Sequence, residues 1–396
     1  MHSNYSLDGW VLIISLLLLL AILASDLSKR LKVPAPLLFL ITGMLAGSDG
    51  IGGIYFDNVE LAKDIGIIAL SFSLFSGGLD TPWKLVKPIF WSGLALSTLG
   101  VLISTGLVAI FAYSLLDFTL MEGFLLGAIV SATDAAAIFS LFRSRYFLVK
   151  RNLRMLVEFE SGSNDPMAIL LVFIILNMMK DPSYTVFGLS TMFLTQVLGG
   201  IVVGILVGKI AVHLFRKMKL EYRELYPVFT ISLVLFTYGA TSAIGGSGFL
   251  ATYLLGIVLY QHDFHHKYNI KKFHAALTWL CEISMFLVLG LLVFPKQLHE
   301  IFNLDLLLPF FLIFFARPVS VFVSLAFSGY SGKDKFLVSW LGLRGAVPIV
   351  LATFPMVMGI PKANTIFNLV FFVVLISFLV QGGLAARFIK WLKIEN

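Results

Sequence analysis

Apolar stretches of bilayer-crossing length follow one another along almost the whole chain. They run near 10–25, 34–48, 62–78, 89–113, 122–142, 154–179, 185–214, 225–243, 247–261, 275–294, 304–327, 335–358 and 364–389. A helical crossing needs about 20 consecutive apolar residues. Backbone groups in hydrocarbon must be satisfied within the segment or by a closed barrel. The five leucines at 16–20 show no alternation of period two, which argues against barrel strands. The expectation is an all-α polytopic membrane protein of about thirteen transmembrane helices. Composition agrees: 59% of the 396 residues are hydrophobic and 13% charged, against about 45–50% and 25% in soluble domains. A water-soluble enzyme is excluded, and no length remains for an ordinary soluble domain. The stretch at 10–24 lacks a basic flank and a cleavage site, so it reads as a retained first span.

The basic residues set the orientation. Of 29 lysines and arginines, 22 fall in alternate loops, around Lys29, Lys84, Arg143, Arg216, Lys267, Lys333 and Arg387. The opposite loops hold only Lys63, Lys180, Lys296 and Lys362. The basic set is cytoplasmic, so the N-terminus lies outside and the C-terminus inside, which requires an odd number of spans. The net charge of +7 then reflects loops facing anionic lipid rather than nucleic-acid binding. The single cysteine, Cys281, sits in an apolar run. Lys209 can snorkel from the end of its helix, but Arg317 and Arg344 lie inside spans, where an ionisable residue is a functional hypothesis.

Four polar motifs lie at membrane depth: Ser131-Ala-Thr133-Asp134 in the fifth span, Glu158-Phe-Glu160-Ser161-Gly-Ser-Asn164-Asp165-Pro166 in the sixth, Ala316-Arg317-Pro318 in the eleventh, and Gly342-Leu-Arg344-Gly-Ala-Val-Pro348 in the twelfth. Acids gather in the first half and arginines in the second. Thr133-Asp134-Ala135-Ala136-Ala137 and Arg344-Gly345-Ala346-Val347-Pro348 hold matching places in two span triplets. Seven helices separate them, so the halves have opposite topology. Such paired interruptions point to a transporter's binding site, and Thr133, Asp134 and Arg344 are the residue types that neutralise exposed half-helix ends. Asp165, between Asn164 and Pro166, is the candidate for transport. A carboxylate holding either a proton or a monovalent cation is the minimum machine for exchange. Ser161, Thr133 and nearby carbonyls could complete an oxygen shell. Glu160 faces elsewhere on its helix, and a pairing with Arg344 or Arg317 would be structural. Glu158 can pair with Arg154. Thr133 and Ser161 taken alone are equally readable as helix–helix contacts.

These motifs resemble those of the monovalent cation/proton antiporter superfamily, in its NhaP branch related to the NHE exchangers. Gly43-Met-Leu-Ala-Gly47 and Phe286-Leu-Val-Leu-Gly-Leu-Leu-Val-Phe-Pro295 are closer still to bacterial potassium/proton antiporters of the CvrA type. The resemblance covers nearly the whole chain. It implies thirteen spans in two inverted repeats with crossed, unwound fifth and twelfth helices. It divides the chain into scaffold (1–88), core (89–182), linker helix and scaffold (183–300) and core (301–396), and implies a homodimer. It implies an ion and proton site at Asp165 with Asn164, helped by Ser161 and Thr133, and a stabilising Glu160–Arg344 bridge. An Asn-Asp pair instead of a double Asp is generally found in electroneutral members. Many relatives carry an acid on the third span where this chain has Ser76, whose hydroxyl is a weaker contact. CvrA-type proteins usually continue into a cytosolic regulatory domain; this chain ends at Asn396, either truncated or without that layer of control.

The loop Gln261-His262-Asp263-Phe264-His265-His266 lacks a complementary metal-ligand set, and no nucleotide-binding or zinc motif occurs. No cofactor is expected beyond the transported ions. An intramembrane aspartyl protease with Asp134 and Asp165 as a dyad would leave the arginines unexplained and lacks the expected flanking signatures. A channel or sodium-coupled symporter on a similar repeat remains a rival. The expectation is a multi-pass bacterial inner-membrane antiporter, with potassium favoured over sodium as the cation.

Overall fold

Short polar signals cut the apolar chain into helices. Asn58, Thr185 and Ser247 each accept a hydrogen bond from a backbone N–H of the following first turn, satisfying a donor that the helix cannot. Thr119 with Glu122, and Ser331 with Asp334, form reciprocal capping boxes. The computed structural model describes residues 6–31, 33–134, 149–181, 185–218, 220–293 and 306–392. Its helices are α1 (Leu7–Leu31), α2 (Ala35–Ala46), α3 (Val59–Leu79), α4 (Trp83–Leu115), α5 (Leu120–Ser131), α6 (Arg151–Lys180) and α7 (Val186–Lys217). They continue as α8 (Leu225–Ala243), α9 (Gly248–Gln261), α10 (Lys267–Leu291), α11 (Leu307–Ser324), α12 (Gly332–Trp340), α13 (Ala346–Val357) and α14, which starts at Ala363. No strand occurs among the described residues.

Every expected span coincides with one of these helices, and the twelfth is built from two, α12 and α13, separated by an unwound stretch at 341–345. The fifth loses its helical form after Ser131. The continuation with Ala135, Ala136 and Ala137 lies outside the described residues, as do Arg143, Arg145, Lys296 and the Phe294-Pro295 end of the tenth-span motif. The tenth span begins earlier than expected, at Lys267.

Related irregularities mark the two halves. A π turn interrupts α4 at Leu96–Gly100 and another interrupts α11 at Leu312–Ala316, the helices that precede the two broken spans. In the helices that follow, α6 carries an internal proline, Pro166, and α14 a π turn at Ser377–Gly382. π turns are rare and concentrate at functional places.

Burial ranks the helices by depth. In the most apolar part of α1 only 11% of residues are buried, against 61% in α6. Leu12, Leu19 and Leu23 of α1 are exposed, as a lipid-facing helix allows. In one group, α10 packs on α2 and α3, and α9 on α3, α7 and α8. In the other, α5 packs between α4 and α6, and α13 packs on α14 while also touching α3.

Helices α3 and α9 cross with backbones in contact. A Cβ at Gly256 would strike the Phe75 carbonyl and lie 2.9 Å from the Gly78 Cα. Small residues at such crossings are how helices associate without a hydrophobic drive from lipid. Gly256→Leu is expected to lower stability by about 1–3 kcal/mol, the usual cost of overpacking. Thermal melting of the detergent-purified protein checks this, with Gly106→Leu, at an open position, as the neutral comparison.

Candidate functional site

The two unwound stretches meet. The Asp134 N–H donates to the Leu343 carbonyl at 2.7 Å, and the Arg344 Nε donates to the Val130 carbonyl at 2.9 Å. Arg344 therefore places its positive charge at the C-terminal end of α5, where free carbonyls carry the negative end of the helix dipole. Asp134 lies at the N-terminal end of α13: a Cβ at Gly345 would collide with its carboxylate, so only glycine fits there. Each half thus supplies the charge that neutralises a broken helix of the other. Further backbone groups at the break also find partners. The Arg344 N–H donates to Ser377 Oγ at 2.9 Å, Ser377 Oγ to Gln381 Oε1 at 2.7 Å, and Gln381 Nε2 to the Trp340 carbonyl at 2.9 Å. Arg344 Nη1 also reaches the Gly342 carbonyl.

Helix α6 lies against this crossing. Asn164 Nδ2 donates to Thr133 Oγ1 at 2.6 Å and to Glu160 Oε1 at 2.9 Å, and its Oδ1 accepts from the Thr133 N–H at 3.4 Å. Thr133 Oγ1 donates to Ser161 Oγ at 3.1 Å. Glu160 Oε2 accepts from Arg317 Nη2 at 2.9 Å, with both side chains almost wholly buried. The resemblance implied a Glu160–Arg344 bridge; Arg317 is the partner instead, because Arg344 is drawn onto the carbonyls at the helix break. Arg154 pairs with Glu158 at 2.7 Å.

Asp165 points the other way, into a cavity of about 260 Å³. The lining includes Ser73, Ser76 and Asp80 of the third-span region, Asp134 at the break, Gly162 and Asp165 of α6, Tyr253 of α9, and Thr278 and Glu282 of α10. Among the described residues, four carboxylates and no basic side chain line it. At its partly exposed end Asp80 holds Lys271 at 2.6 Å. Asp165 Oδ1, Ser73 Oγ and Thr278 Oγ1 are buried with no hydrogen-bond partner among the described residues. Pro166 cannot donate to the Gly162 carbonyl, which removes one helical hydrogen bond at the cavity wall. Carboxylates and hydroxyls set into an otherwise largely apolar pocket suit a cation that exchanges water for protein oxygens.

Of the residues expected around the ion, Asp165 and Ser76 line this cavity, joined by the helix-break acid Asp134, while Thr133, Ser161 and Asn164 form a hydrogen-bonded layer behind it. Arg317 and Arg344 are buried away from it. Sequence reasoning missed Glu282, Thr278, Ser73 and Tyr253. Glu282 carried the same signal as Asp165, an acid inside an apolar run, but without a neighbouring polar motif to draw attention to it.

The family profile described as "Sodium/hydrogen exchanger, transmembrane" matches residues 14–391. The chain belongs to the sodium/hydrogen exchanger family. This is a family of cation/proton antiporters, transporters rather than enzymes, so the protease reading is set aside. The exchanger-family chain is 40% identical to the "K(+)/H(+) antiporter NhaP" of Alkalimonas amylolytica over 97% of its own length and 67% of the relative's. It is 40% identical to the "K(+)/H(+) antiporter NhaP2" of Shewanella baltica, covering all of this chain and 68% of the relative. The fold matches that of the sodium proton antiporter MjNhaP1 from Methanocaldococcus jannaschii with a TM-score of 0.84 at 25% identity, covering 96% of this chain and 98% of that one. The expected antiporter fold is thereby established for this exchanger-family chain.

Removing one partner of a buried ion pair strands the other, at a cost of about 3–5 kcal/mol. Arg317→Met is expected to lower the melting temperature strongly, and Glu160→Gln combined with Arg317→Met to recover much of the loss. Equal melting of the single and double variants would show that the pair is not coupled. Arg344→Ala strands the Val130 carbonyl and is expected to reduce the yield of folded protein, read by size-exclusion chromatography.

Proposed function

We propose that this chain exchanges a monovalent cation, potassium in preference to sodium, for a proton by alternating access, with Asp165 carrying either ion in turn. The observation that carries this reading is the Asp165 carboxylate oxygen, unpartnered among the described residues, in a cavity they line with four acids and no base, beside the crossing of two broken helices. One exchangeable carboxylate makes the cycle electroneutral: one proton leaves as one cation enters. Asn164, Thr133 and Ser161 bind α6 to the break, so that the carboxylate and the crossing move as one body. The helices of 89–182 and 301–396 form that moving core, and those of 1–88 and 183–300 the scaffold through which two copies pair.

Potassium is favoured by two relatives at 40% identity that are named as potassium/proton antiporters. Sodium is the second reading, supported by the fold shared with a sodium proton antiporter. The distribution of lysine and arginine supports insertion in a bacterial inner membrane with the N-terminus outside and the C-terminus in the cytoplasm. The cavity's solvent end, at Asp80 and Lys271, would then face the cytoplasm.

Purified protein in liposomes with an imposed pH gradient tests the proposal. Potassium is expected to collapse the gradient, valinomycin clamping of the voltage to change the rate little, and Asp165→Asn to abolish exchange while remaining folded. Exchange retained by Asp165→Asn refutes the assignment. A response to sodium alone keeps the mechanism and changes the ion.

A further inference from the structure

The cavity contains an acid that the cycle above does not use. Glu282 sits in the middle of α10, only 6% exposed, and α10 packs on α2 and α3 rather than on α6. Its side chain lines the same cavity that Asp165 enters from α6. Among the described residues no ion pair or hydrogen bond engages its carboxylate. The polar groups lining the cavity with it are acids or neutral oxygens, among them Asp80 from the third-span region, Asp134 from the break, Asp165 from α6, Tyr253 from α9 and Thr278 one turn earlier on α10. Lys271, at the partly exposed end of the cavity, is held by Asp80. A structural acid at membrane depth carries a counter-charge or donor; among the described residues this one has neither. Carboxylates lining one cavity repel one another, and a cation entering it relieves the repulsion.

We propose that Glu282 is a second carboxylate ligand of the transported cation, contributed from α10 to the cavity that Asp165 enters from α6. The proposal rests on the antiporter reading of Asp165 and extends its ion shell to the opposite packing group. Ser73 and Thr278, whose hydroxyls have no partner among the described residues, complete an oxygen set that needs no side chain from the Thr133–Ser161–Asn164 layer. Because Asp165 and Glu282 belong to different packing groups, the shell is whole only when the two groups stand as they do here. Glu282 therefore sets cation affinity on this side of the cycle, while Asp165 travels.

The test reads binding without turnover. Purified protein is titrated with potassium or sodium chloride against choline chloride at constant ionic strength, and the cation's stabilisation is followed by thermal melting. Wild-type protein is expected to be stabilised, Asp165→Asn to lose the effect, and Glu282→Gln to need about tenfold more cation for half the effect, the scale of one lost charge-assisted contact. Glu282→Asp is expected to fall between. A structural role for Glu282 predicts a lower melting temperature without cation and an unchanged half-effect concentration, and that result overturns the proposal. If Glu282→Gln does not fold, Glu282→Asp carries the test, and its unchanged midpoint overturns the proposal equally. Cation stabilisation that persists in Asp165→Asn, or is absent from the wild type, refutes the antiporter reading itself and is distinguishable from failure at Glu282 alone.

Discussion

Unwound backbone in a membrane must find hydrogen-bond partners inside the protein, and the rest of this structure is arranged around that need. An unsatisfied backbone group in hydrocarbon costs several kcal/mol. Here the break after α5 and the break before α13 satisfy one another, through the Asp134 N–H on the Leu343 carbonyl and the Arg344 Nε on the Val130 carbonyl. The solution also places one acid and one base at opposed helix ends, so the dipoles that a break exposes are met by full charges. Neither break could stand alone. Two such segments must cross, which ties the pairing of the halves to a local requirement.

The crossing fixes what α6 can do. Asn164 bridges Thr133 and Glu160, and Glu160 is neutralised by Arg317 from the second half. One side of α6 is thus consumed by holding it in place. The residue after Asn164 turns about 100° around the helix, away from that network and into the cavity. Two arginines are buried at this depth against Asp134, Glu160, Asp165 and Glu282. One is committed to Glu160 and the other to main-chain carbonyls, so the excess negative charge collects where a cation can enter. Rigid attachment on one side and an uncommitted carboxylate on the other are what a moving ion site requires.

The spans, their alternation of charge and the four motifs were legible because each is a local property: apolar length, loop lysines, or polar residues where none are expected. The identity of the ion pair was not. Glu160 could reach either Arg317 or Arg344 as far as spacing tells, and the choice follows from the three-dimensional demand of the Val130 carbonyl for a donor. In sequence, the Ser161 and Thr133 hydroxyls are candidates to complete an oxygen shell around the ion at Asp165. Instead the Thr133 hydroxyl donates to Ser161 and accepts from Asn164, which places both hydroxyls in the layer behind the cavity. Ser377 and Gln381, which complete the hydrogen bonding at the twelfth-span break, carry no sequence signal, since a serine and a glutamine in a helix are ordinary. Glu282 was visible as a charge in an apolar run but gained its meaning only from the cavity it shares.

The difference between one acid and two in that cavity bears on stoichiometry. If both carboxylates released protons for each cation bound, the cycle would move net charge. In the proposed cycle only Asp165 changes sides, because it is tied to the crossing through Asn164, while Glu282 stays with α2 and α3. A ligand that does not travel contributes to affinity but not to the charge carried across, so a two-carboxylate shell is compatible with electroneutral exchange. The geometry then separates two properties that a single site would couple: the travelling acid sets how many charges cross, and the stationary acid sets how tightly the cation is held on one side.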